Sequence, residues 1–226
     1  MSLILWTGAR TASLDEIRDI TTPEPTSTHK PLPHMDLIDE LDEIISNVDA
    51  TLVESTHALT HSGRRYFGLF ELESNSSSDW NVTVGLRNSH DKSAAAGMCL
   101  GQKVMVCTNL AFSGEIKFAR KHTANCHSDT MLMMRKAFTQ VPRFENQLQD
   151  RDEKWKNLKI TNGEASTLIL KSAASDIIPQ NKITHVHRHW EQPEYNEFSK
   201  NGHSVYRLFN SFTSAMRPSV PSSGGE

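Results

Sequence analysis

Cysteine is scarce in this chain. The three present, Cys99, Cys107 and Cys126, are an odd number, and none belongs to a Cys-x-x-Cys pair. A disulfide framework and a thiolate zinc site are thereby excluded, and a reducing, cytoplasmic setting is expected. Long apolar runs are missing too. None approaches the roughly 20 residues that span a bilayer, so no membrane partner is expected. The opening Met1-Ser-Leu-Ile-Leu-Trp is too short, and has no basic flank, for a signal peptide. Walker, Gly-x-Gly-x-x-Gly and Gly-x-Ser-x-Gly patterns are absent, which leaves nucleotide hydrolysis through those motifs and serine-esterase chemistry without support. No cofactor is expected. Nor is there a large excess of one charge: 24 Lys and Arg against 27 Asp and Glu leave a formal −3.

The distribution of that charge says more than its sum. Residues 1–60 carry 3 Lys/Arg against 11 Asp/Glu, whereas residues 61–143 carry 11 against 6. An acidic front and a basic middle suit a local anion-binding face, or else a solvated surface with uneven charge. With 226 residues, 37% of them apolar, the chain is long enough for one ordinary core. Residues 1–35 read as an N-terminal segment and linker with Pro23, Pro25, Pro31 and Pro33, and 217–226 as a disordered tail. A single domain is expected over 36–216.

Within it, Leu37, Leu41, Ile44, Ile45 and Val48 recur at helical spacing from Asp36 onward. Thr51–Thr60 and Arg65–Leu72 flank His61-Ser62-Gly63 as a hairpin. Trp80, Val82, Val84 and Leu86 alternate with polar residues as a strand, and Gln102–Thr108 reads as another. Residues 88–101 read as a connection. After Gly114 the pattern becomes helical, with Pro142 expected to kink or break a long helix. Further helices are expected near 164–174, 180–191 and 203–216. The fold class is α+β: an antiparallel meander of three to four strands with helices packed on one face.

Chemistry concentrates just past the third strand. Arg87, Asn88, Ser89, His90, Asp91 and Lys92 are six hydrogen-bonding side chains in succession. Arg87 and Lys92 suit phosphate, the first bidentately and the second as a point charge. His90 suits a general base, and with Asp91 it would form the catalytic pair of an enzyme. The alternative is an elaborate turn whose polar side chains hold the backbone. Asn109 and Ser113 stand at an apparent strand-to-helix junction, fit either for an anion or for a plain cap. On the helix expected next, Lys117, Arg120 and Lys121 share a face, with His122 beside them. Together with Arg87 and Lys92 these cations would make one groove over the sheet. Eleven histidines invite a metal reading. Only His185 and His189 share a helical face, however, and no His-Glu-x-x-His motif accompanies them, so no metal is expected. Cys107 sits inside a strand pattern and reads as core.

Three ordered blocks resemble a known family. They are Gly85 to Ser93 (GLRNSHDKS), Val104 to Glu115 (VMVCTNLAFSGE) and Arg120 to Thr123 (RKHT). Tyr66 to Phe70, Trp190 with Pro193, and Leu208 to Thr213 also fit. These resemble the phage/plasmid-like family numbered 932 among domains of unknown function. The chain departs from that pattern at Thr108, where an acid is expected, and at Asn-Ser-Phe-Thr-Ser, where the usual ending is Asn-Ala-Phe-Thr-Glu. The resemblance implies a mobile-element origin in a bacterial host and brings no agreed chemistry. Strands followed by basic helix are similar, at fold level, to the core of phage single-strand-annealing proteins. Binding of single-stranded nucleic acid in recombination or DNA maintenance is therefore the first expectation, with a homo-oligomer as the working form. A nucleotide- or phosphate-directed hydrolase is the alternative, as is an inhibitor that binds a host defence protein.

Overall fold

The computed structural model describes residues 9–75, 81–102, 105–106, 112–195, 200 and 202–216, with backbone alone at 105–106 and 112–113. In chain order the elements are β1 (Ala9–Thr11), α1 (Leu14–Arg18), α2 (His34–Asn47), β2 (Leu52–Thr60), β3 (Arg65–Leu72), β4 (Val82–Ser89), β5 (Ala96–Gly101), β6 (Met105–Val106), β7 (Phe112–Ser113), β8 (Ile116–Arg120), α3 (Cys126–Phe138) and α4 (Val141–Asn157). After them come α5 (Asn162–Ala174), α6 (Ile183–Glu191) and α7 (Val205–Ala215). Two compact units are distinguished, residues 1–146 and 147–226, with the boundary inside the span 36–216 expected as one domain.

The first unit is built on a six-stranded antiparallel sheet in the order β1-β2-β3-β4-β5-β8, while β6 and β7 form a ladder of their own. The α+β class and the antiparallel meander are as expected; the sheet has six strands rather than three or four. Gly63 turns the β2–β3 hairpin at φ 66, a conformation that costs glycine little. Opposed residues of antiparallel strands share a face. Tyr66, Asn88, Leu86 and Met98 therefore lie on one side, and Phe67, Arg87, Gly85 and Cys99 on the other. The first side holds the larger core, where Leu86, Met98 and Leu100 are fully buried, as are Leu37 and Leu41 of α2; the second buries Ala58, Phe67, Leu69 and Cys99. Arg135 of α3 grips the buried Glu40 of α2 through two hydrogen bonds of 2.6 and 3.2 Å.

Two expectations are corrected here. The segment after Gly114 is not helical: Ile116–Arg120 is the edge strand β8, paired with β5. Residues 88–101 are not simply a connection, because Ala96–Gly101 is a strand with every residue buried. Pro142 does break the helical run. α3 stops at Phe138 and the proline falls in the first turn of α4, where a missing N–H is harmless.

Residues 20–33 form no helix or strand, in keeping with their prolines. They are nevertheless anchored. Leu32 is 1% exposed, and the Lys30 N–H donates to the His122 carbonyl at 2.8 Å. This segment is a strap laid across one end of the sheet.

In the second unit, α5 begins with a capping box in which Thr161 and Glu164 satisfy each other's backbone N–H. Ile169, Val186, Leu208 and the fully buried Trp190 form its core. Arg207 donates to the Trp190 carbonyl at 2.8 Å from Nε, and the Trp190 indole N–H donates to Asn162 at 3.0 Å. His185 and His187 are exposed on α6.

Candidate functional site

Asn88, at the end of β4, is the hub of a buried polar network. Its amide nitrogen donates to the Leu32 carbonyl at 2.7 Å and faces His34 Nδ1 at 3.0 Å. Its amide oxygen accepts from the Ser89 N–H at 2.9 Å and lies 2.8 Å from His122 Nε2. A carbonyl can only accept, so the Leu32 bond fixes which way the amide points. The rest follows. His122 carries its proton on Nε2, and His34, facing an NH2 group, has a bare Nδ1. His34 Nε2 then donates to the Gly63 carbonyl at 3.0 Å, and His90 Nε2 donates to the Leu32 carbonyl at 2.9 Å. The His34 and His90 rings stack at 3.9 Å with planes 4° apart.

Burial sets the charge of these rings. It lowers the pKa of His34 to about 3, assisted by the neighbouring His90. Burial, then His29 and His90, lower His122 to about 4. His90 is likewise lowered by burial, partly offset by its bond to Leu32. All three are neutral at pH 7.

His90 and Asp91 do not meet as a catalytic pair. His90 is committed to the strap, and Asp91 accepts from Arg65 Nε at 2.8 Å and from the Ser93 N–H at 3.0 Å. Partial burial pushes Asp91 up, but Ser93 and Arg65 outweigh it and hold the carboxylate at about 2. It is a poor proton carrier. Lys92 follows in the left-handed region at φ 63, which sets the course of the loop.

That loop, the strap and the β8–α3 connection enclose a cleft of about 470 Å³. Thr28 and His29 line it from the strap, Lys92 to Ala95 from the β4–β5 loop, and Lys121 to Thr123 from the β8–α3 connection. No carboxylate lines it among the described residues. Both lysines are exposed, and neither ammonium has a hydrogen-bond or ion-pair partner among the described residues.

Of the expected cationic groove, Lys92, Lys121 and His122 are brought together here, and Asn88 supports His122 from behind. The others are not. β8 is a strand, so Lys117 and Arg120 point to opposite faces. Lys117 lies opposite Cys99, on the side of Arg87. Arg120 lies on the core side and pairs with Asp129 of α3 at 2.8 Å. Arg87 is half-buried, and burial lowers its pKa. Asn109 and Cys107 fall outside the described residues, and Ser113 is described only as backbone of β7.

A family model described as Domain of unknown function (DUF932) matches residues 25–218. The chain belongs to this family. The DUF932 match starts inside the strap, so the segment that supplies Thr28 and His29 is part of the family's span and not a leader to it. No curated protein and no solved structure matches the chain.

Composition hid the residues that reading along the sequence missed. His29 and His34 sit among prolines and threonines and look like linker. The available signal was Leu32 with two histidines in an otherwise polar stretch. The Thr26/His29 turn, in which the His29 N–H donates to Thr26 Oγ1 at 3.0 Å, was a second. Among the described residues no group of three or more His, Cys, Asp or Glu is arranged to hold a metal ion, and no helix is long and apolar enough to cross a membrane.

Proposed function

We propose that this DUF932 protein binds single-stranded nucleic acid through its phosphates, with the cleft at the sheet end as the contact point. The observation that carries this reading is the convergence of Lys92 and Lys121, from loops distant in sequence, on a cleft with no carboxylate among its described lining residues. Ammonium groups without acidic neighbours are point charges free for phosphate. The cleft volume exceeds one phosphate group, leaving room for the sugars on either side. A duplex would have to present its backbone to a concave site flanked by two loops, whereas a single strand can bend into it. An annealing or DNA-maintenance role would need several copies along one strand, and a homo-oligomer is part of the proposal.

Fluorescence anisotropy with a labelled single strand, titrated at several salt concentrations, tests it. Binding should weaken steeply with salt. Replacing both lysines (K92A with K121A) should weaken binding and lower the log–log salt slope by about 1.4, at roughly 0.7 for each phosphate of a single strand that is no longer neutralised. A double variant that binds with the parent's affinity and slope removes the cleft from the proposal. Solution mass, measured in parallel, reports whether copies assemble.

A further inference from the structure

Phosphate binding does not require the two imidazoles in the cleft wall. The rings of His29 and His122 lie 5.3 Å apart, centre to centre, with planes inclined at 59°. Their hydrogen bonding differs. His122 gives its Nε2 proton to the Asn88 amide oxygen, so Nδ1 is the nitrogen that carries the lone pair. His29 is 7% exposed, and its Nε2 is buried with no partner. Among the described residues nothing bonds either ring nitrogen of His29. A buried polar atom left unpaired is costly, and the residue that carries it lines the cleft.

We propose that the cleft cleaves RNA by transphosphorylation, His122 acting as the base and His29 as the acid on one phosphodiester. This rests on the reading that the cleft holds a phosphodiester, and adds a reaction to it. The ribose 2′-hydroxyl attacks phosphorus and its proton passes to Nδ1 of His122. The O2′–P bond forms as the P–O5′ bond breaks, and the departing 5′ oxygen takes a proton from His29, the acid of the pair. The products are a 2′,3′-cyclic phosphate and a 5′-hydroxyl, with no net change in protons or redox state.

Three features fit these roles. The neutral state of His122 leaves its lone pair available at pH 7, and a phosphate anion beside it strengthens its hold on a proton. Asn88 locks the tautomer that turns Nδ1 into the basic nitrogen, as an orienting group does for a general base. Lys92 and Lys121 flank the site, where charge grows on the non-bridging oxygens. The pairing of a base with an acid suits a substrate that carries its own nucleophile, which DNA does not.

The test uses the full chain with end-labelled RNA in EDTA, beside DNA and 2′-O-methyl RNA of the same sequence. The RNA alone should be cut, leaving 2′,3′-cyclic phosphate ends by mass spectrometry. His122→Gln retains an N–H for Asn88 but has no basic nitrogen, and His29→Gln is its counterpart. Each should slow cleavage by at least about 100-fold while anisotropy still reports RNA binding. His187→Ala, on exposed α6, should cut like the parent. RNA that is bound but left intact overturns the proposal and leaves the binding function standing. So does cleavage that persists in both glutamine variants, or that spreads to DNA. If the parent binds neither RNA nor DNA, the proposal and the binding function fall together.

Discussion

One amide decides the tautomers of its neighbours. Because Asn88 presents nitrogen to Leu32 and His34 and oxygen to His122, it leaves His34 Nδ1 bare and keeps the His122 proton on Nε2, while burial favours the neutral form of both rings. An acid-sensitive fold follows. In the open chain these histidines hold protons up to about pH 6.5, whereas in the fold His34 and His122 release them down to about 3 and 4. Between those values the unfolded state binds more protons, so stability rises with pH. The contribution is complete above about 6.5 and is lost as the pH falls. At about 1.4 kcal/mol per unit and group, moving from pH 7 to pH 5 should cost roughly 4 kcal/mol. Urea unfolding followed at the two pH values checks this, and equal midpoints would contradict the network. None of this was legible in the sequence. Asn88 and His90 read as turn or site residues, and their partners Leu32 and His34 lie more than fifty positions away.

At the level of elements, regular structure was readable where a pattern repeated often enough. The β2–β3 hairpin, β4, α2 and the helices of the second unit have the expected positions to within a few residues. β8 was misread because five residues are too few for alternation to outvote spacing: Lys117, Arg120 and Lys121 fall at helical intervals as well. β5 was missed for the opposite reason. With both of its faces covered it shows no alternation, and Ala-Gly-Met-Cys-Leu-Gly resembles a flexible connection. The strap was legible as irregular but not as anchored, since its anchors bridge long sequence distances. Its apolar anchor is Leu32, and Leu32→Ala should destabilise the protein by about 2–4 kcal/mol. The backbone hydrogen bonds of that residue remain in the variant, so the loss measures burial alone. An unaltered urea midpoint would mean that the strap is not held by its side chain.

For the molecule as a whole, the sum of charges works against the proposed ligand. A formal −3 and a sequence pI near 6.4 mean that phosphates meet a repelling average field at neutral pH. Attraction must come from the cleft's own ammonium groups. Raising the pH from 6.5 to 8 makes the protein more negative and stays well below the range in which lysine side chains ordinarily lose their protons. Anisotropy at the two pH values should therefore give affinities within a factor of a few. A collapse of binding at pH 8 would place the attraction elsewhere. The anchored strap has one more consequence, for the order of events during synthesis. Leu32 leaves the ribosome well before Asn88, 56 residues further on, and before the connection that carries Lys121 and His122. The nascent strap cannot complete its anchorage until His122, just past the last strand of the sheet, has emerged. A ribosome stalled before that point would display a chain able to form hairpins yet lacking the closed cleft.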